Sequence, residues 1–218
     1  MREVAGKRIG LVAAALFFAA EVALASLSPE QIADSTKAAL KAFSHGNFEA
    51  ARSGFEKVLE SDPENLTALV NLGALEYRLE NFDSAEMHLN RAVRINPDAS
   101  VAWVTLGVLY LGRGKLDDAL AALSRALVLN PRDWRVHNYL GVTIGRKGWL
   151  YGAEQELRKA IELNPQAAEP NFNLALIYMQ RQPPVIELAR RHYREALRLG
   201  APPDPLLARQ IRDAVTNP

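Results

Sequence analysis

The chain has 218 residues, of which 49% are hydrophobic and 23% charged, and its 26 Lys and Arg side chains nearly balance 25 Asp and Glu side chains. This composition is typical of a chain that folds. The absence of cysteine excludes disulfides, thiolate metal sites, thiol catalysis and lipid attachment at cysteine. The neutral balance, without a basic stripe, argues against a nucleic-acid partner.

Residues 1–25 read as a secretory signal peptide. A basic start precedes an apolar run at residues 9–20, and Ala23-Leu24-Ala25 is followed by Ser26. Because this run is shorter than the ~20 residues that span a bilayer, we expect cleavage after Ala25 and export, to the periplasm if the source is bacterial. The alternative is an uncleaved anchor that holds an envelope assembly factor on the non-cytoplasmic side of a membrane.

A period of 34 residues dominates the rest of the chain. Prolines recur at this interval, each preceded by Asp or Asn, and small and large apolar positions follow the same count. The recurrent prolines are Pro63, Pro97, Pro131 and Pro165. Within each period the apolar residues have helical spacing, which predicts two amphipathic helices. A proline then ends each pair because it disfavours helix at the preceding residue.

In chain order, the period divides the sequence into a series of hairpins. Residues 26–65 hold an N-terminal helix and an atypical first repeat, and residues 66–99, 100–133 and 134–167 hold three regular repeats. A fifth, at residues 168–202, fits only with two residues inserted near Gln182-Pro183-Pro184. Asp204-Pro205 predicts the start of a capping helix within residues 203–218.

These repeats resemble the tetratricopeptide repeat over roughly residues 32–202. The best match lies within residues 100–133, at Trp103, Leu106-Gly107, Tyr110, Ala119, Leu123, Ala126 and Pro131. The resemblance implies an all-α, right-handed superhelical solenoid of five hairpins with a C-terminal capping helix. It also implies a non-catalytic scaffold that binds a protein or peptide segment on its concave face.

No motif in the sequence indicates an enzyme. The four histidines never have the spacing of a zinc pair, and neither a nucleophile elbow nor a phosphate-binding loop is present. His137 occupies the repeat position of Trp103, which favours packing over ligation. We therefore expect neither a metal nor a cofactor, and we keep an enzyme only as a third hypothesis.

The resemblance places candidate partner-binding residues on the first helix of each repeat. Their apolar members predict a continuous wall, although the same side chains would also serve to pack between repeats or under the capping helix. Arg78, Asn138 and Arg146 are expected to flank this groove in a monomeric or weakly associating adaptor. The candidates are Tyr77, Arg78, Val104, Val108, Leu111, Asn138, Val142, Arg146, Phe172, Leu176 and Met179.

Two further features bear on the partner. Some members of the family clamp a C-terminal carboxylate with Lys and Asn. Only Asn71 matches that clamp here, since Thr36 and Leu40 replace its other residues, so an acidic C-terminus is disfavoured as the groove ligand. Arginines at positions 190, 194 and 198 form a ridge that is either a solvated face or a secondary binding surface.

Overall fold

The computed structural model describes residues 27–216, so the predicted signal peptide lies outside the described residues. This part of the chain contains eleven α-helices and no strand. The helices are α1 (Pro29–Ser44), α2 (Phe48–Ser61), α3 (Leu66–Arg78), α4 (Phe82–Ile95), α5 (Ser100–Gly112), α6 (Leu116–Leu129), α7 (Trp134–Arg146), α8 (Leu150–Leu163), α9 (Ala168–Gln180), α10 (Ile186–Arg198) and α11 (Pro205–Thr216). Between residues 27 and 216, no helix combines the length and apolar character needed to cross a membrane.

The helices pack as five consecutive antiparallel hairpins, from α1 with α2 to α9 with α10. Each second helix also packs on the first helix of the next repeat, and neighbouring first helices touch one another. The last helix, α11, packs against α10 through Leu207 and Ile211, which are 1% and 5% exposed. The predicted solenoid of five hairpins with a C-terminal capping helix is therefore confirmed.

Small residues allow the two helices of a hairpin to approach closely. A Cβ atom added at Gly107 would lie 2.6 Å from Leu123 Cγ, and Gly73 and Gly141 face a leucine in the same way. Leu123 is fully buried. The leucine side chain thus fills the space that a methyl group at the glycine would need, which explains why glycine recurs there.

Three-residue turns join the two helices in the first four hairpins. Each turn contains one residue with positive φ. In three turns this residue is glycine, at Gly46, Gly114 and Gly148, whereas in the second repeat it is a glutamate, Glu80 (φ 63°). The fifth hairpin has five residues, 181–185, between its helices. The fifth hairpin therefore has two more residues between its helices than each of the first four.

The predicted helix starts have the expected caps. At α1, the Ser28 hydroxyl accepts from the Gln31 N–H at 3.3 Å, and the Gln31 side chain accepts from the Ser28 N–H at 2.8 Å. At α11, the Asp204 carboxylate accepts from the Leu206 and Leu207 N–H groups, each at 2.9 Å. These bonds satisfy amide groups that have no partner inside the helix.

Candidate functional site

A cavity of about 840 Å³ lies across the first helices of the fourth and fifth repeats. Aromatic, aliphatic and amide side chains from α7 and α9 line it, and the segment after α10 closes one side. The lining residues from the two helices include Trp134, Asn138, Tyr139, Val142, Phe172 and Asn173. A mostly apolar concavity with a few convergent polar groups is the usual form of a ligand site.

The wall of this cavity is the 199–204 linker, which joins α10 to α11. It has six residues, whereas four residues, such as 164–167, join the earlier repeats. The path of the 199–204 linker differs from that of the shorter connections already at the end of α10. There Gly200 has φ 96°, and the Ala201 N–H donates to the Ala196 carbonyl at 2.9 Å. This glycine-type helix end directs the chain differently from the Asp-Pro or Asn-Pro ends of the preceding second helices.

Tyr193 holds the linker in place. Its hydroxyl donates to the Asp204 carbonyl at 3.0 Å and accepts from the Asp204 N–H at 2.8 Å. The ring of Tyr193 packs on Phe172, with 6.3 Å between the ring centroids. The same side chain therefore supports a lining residue of the cavity and fixes the end of its wall.

The polar part of the cavity is an amide pair. Asn173 Nδ2 donates to Asn138 Oδ1 at 2.9 Å, and Asn138 is 5% exposed. Each amide group can form several hydrogen bonds, and this bond uses one donor of Asn173 and one acceptor of Asn138. The remaining groups suit the peptide groups of a bound segment, which also offer both donors and acceptors.

Of the ionisable groups beside the cavity, Asp133 and Arg135 pair with each other, whereas Glu169 lines the cavity, is exposed and forms no ion pair within residues 27–216. Asp133 caps α7 and accepts from Arg135 Nη2 at 2.7 Å. This hydrogen bond is the main reason why the pKa of Asp133 is lowered and that of Arg135 raised. Burial, and secondarily Glu169, raises the pKa of Tyr139. Tyr139 thus stays protonated at neutral pH and can donate a hydrogen bond.

The structure brings four of the predicted groove residues together at the cavity. Leu111 of α5, Asn138 and Val142 of α7, and Phe172 of α9 all line it. They come from three successive first helices, which the repeat aligns side by side. The cavity thus corresponds to the C-terminal half of the predicted groove.

The other apolar candidates contact the hydrophobic core. Val104, 9% exposed, packs with Leu123, Val136 and other residues between the third and fourth repeats, and Val108 packs against the same cluster. Leu176 and Met179 are partly buried against the last core cluster. These side chains contribute to core packing, and none of the four lines the cavity.

The remaining candidates are Tyr77 and Arg78 on α3 and Arg146 at the end of α7. Tyr77 is half-buried, with its ring 5.9 Å from that of Phe82. Arg78 is exposed, and its guanidinium lies 5.2 Å from the centre of the Phe48 ring. Arg146 is exposed and donates to the Leu111 carbonyl at 3.0 Å. None of the three lines the cavity.

Several lining residues were absent from the sequence-based candidates. Trp134, Tyr139 and Asn173 lie on the same two helices but at other repeat positions. The linker was also missed, because its role depends on a change in spacing. A change in the spacing of helix starts could have revealed the linker. Helix α9 begins 34 residues after α7, whereas α11 begins at Pro205, 37 residues after Ala168, the first residue of α9.

The side chain of His137 has a structural role in this fold. His137 Nε2 lies 3.0 Å from the Pro131 carbonyl, and Trp103 Nε1 donates to the Pro97 carbonyl at 2.8 Å one repeat earlier. Both rings therefore tie a first helix to the turn that precedes it. Within residues 27–216, no group of three or more His, Asp or Glu side chains could hold a metal ion.

Comparisons with known proteins agree with this architecture. Two sequence models of the tetratricopeptide repeat match residues 36–100 and 78–140. No curated protein matches the sequence significantly. Among solved structures, the thermophilic TPR protein TTC0263 of Thermus thermophilus is 23% identical with a TM-score of 0.70, covering 85% of this chain and 99% of that chain.

Two further structures are similar. For pilF of Pseudomonas aeruginosa the TM-score is 0.71 at 18% identity, with 85% of this chain and 87% of that chain covered. YrrB, described as a TPR protein with an unusual peptide-binding site, has a TM-score of 0.60 at 23% identity, with 80% and 88% covered. At these identities the likeness concerns the fold. Together with the repeat matches and the five hairpins, it shows that the chain belongs to the tetratricopeptide repeat family.

Proposed function

We propose that this protein is a non-catalytic scaffold that holds a protein or peptide segment against its first helices. Proteins of this family bind protein or peptide partners, and YrrB carries a peptide-binding site on the same fold. Because proteins of this family serve many different processes, the fold alone does not identify the role of this chain. The proposal therefore depends on the cavity described above.

The cavity beside the 199–204 linker is the observation that carries the proposal. Its aromatic and proline walls suit an apolar side chain, and the Asn138 and Asn173 amides suit the adjoining peptide groups. Asp133 is paired with Arg135, and the carboxylate of Glu169 in the cavity lining disfavours an acidic side chain there. We therefore expect the bound segment to place an uncharged apolar side chain in the cavity.

Peptide selection on the intact protein tests this function. Random peptides displayed on phage are selected against the wild type, and their dissociation constants are measured by fluorescence anisotropy. In Val142→Glu, a carboxylate replaces an apolar group of the cavity wall, and a bound apolar side chain would remove it from water, which is unfavourable. We expect the selected peptides to bind this variant at least about tenfold more weakly.

The matched control is Val128→Glu, because Val128 is 74% exposed on a second helix away from the cavity. Circular dichroism melting must show that both variants fold. If no peptide is selected, or if peptides bind Val142→Glu and the wild type equally well, the cavity is not the binding site.

We also propose that the scaffold works after export, with residues 1–25 removed. The order of basic, apolar and small residues before Ser26 supports this. Intact-mass measurement of protein recovered from the native host should give a chain beginning at Ser26. A mass that includes Met1 or the apolar run would instead support the membrane-anchored alternative.

A further inference from the structure

A polar contact recurs between consecutive repeats. It is made by the fifth residue of a second helix. Arg52 of α2 binds Glu76 of α3, with Nε 2.7 Å from Oε1. Glu86 of α4 accepts from the Tyr110 hydroxyl of α5 at 3.1 Å. This position thus directs a polar group onto the next first helix.

The same contact is present before the fifth repeat. Glu154 of α8, which is 6% exposed, accepts from the Tyr178 hydroxyl of α9 at 2.9 Å, and Arg181 also binds its carboxylate. Three of the four junctions between repeats therefore contain a charged residue of the second helix with a partner on the following helix or its C-terminal turn.

The last second helix ends this series with an arginine. Its fifth residue is Arg190, whose only ion pair within residues 27–216 is with Glu187 of the same helix, at 2.9 Å. Arg194, one turn later, and Arg212 of α11 form no ion pair in the described part of the chain. Both are exposed.

These three arginines surround a cavity of about 400 Å³ between α10 and α11. The floor of the cavity is apolar and consists of Tyr193, Leu197, Ala208 and Ile211. A positively charged rim around an apolar floor complements an apolar side chain that has carboxylates on either side. Guanidinium groups bind carboxylates in a planar, two-bond geometry.

The positive surface continues along α10. A neighbouring cavity, of about 640 Å³, shares Arg190 and Arg194 with the cavity of about 400 Å³. Its lining also includes Arg191 and Arg198. Asn171 also lines it, and the Asn171 Nδ2 group is buried without a hydrogen-bond partner. The acidic residues of this surface are engaged, Glu187 with Arg190 and Glu195 with Arg198.

We propose that this end of the solenoid binds an acidic amphipathic helix of a partner protein. The bound helix would lie across α10 and α11, with an apolar side chain on the floor of the cavity and carboxylates on Arg190, Arg194 and Arg212. The predicted signal segment is a poor occupant, since it contains Arg2, Lys7 and Arg8 against Glu3 and Glu21. The proposal is independent of the concave site.

The test uses the full chain and three labelled synthetic peptides of about 15 residues, long enough to form helix when bound. One has leucines at helical spacing flanked by glutamates, one has lysines in place of the glutamates, and one has the acidic composition in scrambled order. Fluorescence anisotropy gives the affinities. Amide chemical shifts from nuclear magnetic resonance show where the peptide binds.

We expect the acidic amphipathic peptide to bind at least about tenfold more tightly than the lysine peptide and the scrambled peptide, and to bind more weakly in high salt. Its shift changes should concentrate in α10 and α11. The double variant Arg194→Glu/Arg212→Glu should lose about tenfold in affinity or more. The matched control, Arg94→Glu/Arg132→Glu, changes two exposed arginines elsewhere by the same charge and should bind as the wild type does.

Four results would overturn the proposal. The wild type does not bind the acidic amphipathic peptide, or Arg194→Glu/Arg212→Glu binds it with unchanged affinity. The surface instead binds phosphatidylglycerol vesicles and not the peptide, which would assign it to lipid. Sedimentation shows a dimer of the wild type that dissociates in the double variant, which would assign the surface to a second copy of the chain.

Discussion

Repeats two to four and the fifth repeat share the same hairpin but differ in their connections. In the regular repeats, three residues join the two helices and four lead to the next repeat, whereas the fifth has five and six. The extra residues move the 199–204 linker over the first-helix face, where it forms a wall of the cavity of about 840 Å³. Regular spacing thus builds the solenoid, and departures from it create the candidate site.

The largest effect should come from closing the helix approach in the regular part. Gly107→Val would place a branched side chain where a Cβ atom already lies 2.6 Å from Leu123. We expect the free energy of unfolding, from urea denaturation, to fall by about 3 kcal/mol. The fifth repeat already has Ala175 at this position, facing Tyr193 in place of leucine.

A control separates this clash from the lower helix propensity of valine. Ala121→Val changes an exposed residue of α6 and should cost less than about 1 kcal/mol. If Gly107→Val is no less stable than Ala121→Val, close packing does not distinguish the regular repeats.

The second prediction concerns the anchoring of the linker. Tyr193→Phe removes both hydrogen bonds to Asp204 and should lower the free energy of unfolding by about 1.5 kcal/mol. Hydrogen exchange of residues 199–204 should become faster, and the peptides selected on the cavity should bind more weakly. Tyr151→Phe, at a 73% exposed tyrosine, is the control, and equal exchange in both variants would contradict the anchor.

The third prediction concerns an irregularity inside the regular part. Glu80 has positive φ at the turn position where three other repeats have glycine. Because this conformation is unfavourable for residues with a Cβ, Glu80→Gly should raise the free energy of unfolding by about 0.5 to 1 kcal/mol. Glu80→Ala keeps the Cβ and should give no such gain, so equal stability of the two variants would count against backbone strain.

The smallest effect should be a pH dependence in the fifth repeat. Burial, with further contributions from Arg191 and Arg158, lowers the pKa of His192 below its usual 6.5. The unfolded chain therefore takes up this proton first as the pH falls. The resulting stability is present above about pH 6.5 and is lost as the pH falls below it, and the loss is small because the ring is only half-buried.

Unfolding measured between pH 7.5 and about pH 5.5 checks this dependence, with His192→Gln as the comparison. The variant should lose less stability over this interval than the wild type does. Equal losses in the two proteins would show that His192 does not contribute.

The sequence was sufficient to predict most of the fold. Four in-phase prolines and the small apolar positions between them predicted the hairpins, and the shifted Tyr193 and Ala196 predicted a longer fifth turn. The repeats could be predicted because each one packs the same positions against each other, as in the contacts of Gly73, Gly107 and Gly141 with a leucine. Helix spacing therefore determines which side chains meet.

The candidate site was predictable only in part. Leu111, Asn138, Val142 and Phe172 follow from repeat positions on the first helices. The linker wall does not, because it depends on hydrogen bonds between Tyr193 and Asp204 in a segment with no counterpart in other repeats.

The arginine ridge was predictable as a spacing but not as a surface. Arg190 and Arg194 face the cavity beside α11, whereas Arg198 lies farther along and binds Glu195 at 2.6 Å. Arg212 joins them from a helix whose approach depends on the linker. Periodicity within one helix could not indicate that this residue contributes to the same rim.

The unequal connections have a consequence for how such a chain can change in length. Insertion of another 34-residue unit at a boundary such as Asn130-Pro131 would restore the same turn, since the Asn130 carbonyl accepts from the Asp133 N–H there as its equivalents do at the neighbouring boundaries. The same unit placed after Gly200 would meet a different helix exit. The array can therefore grow from its middle, and the surfaces at its C-terminal end remain intact.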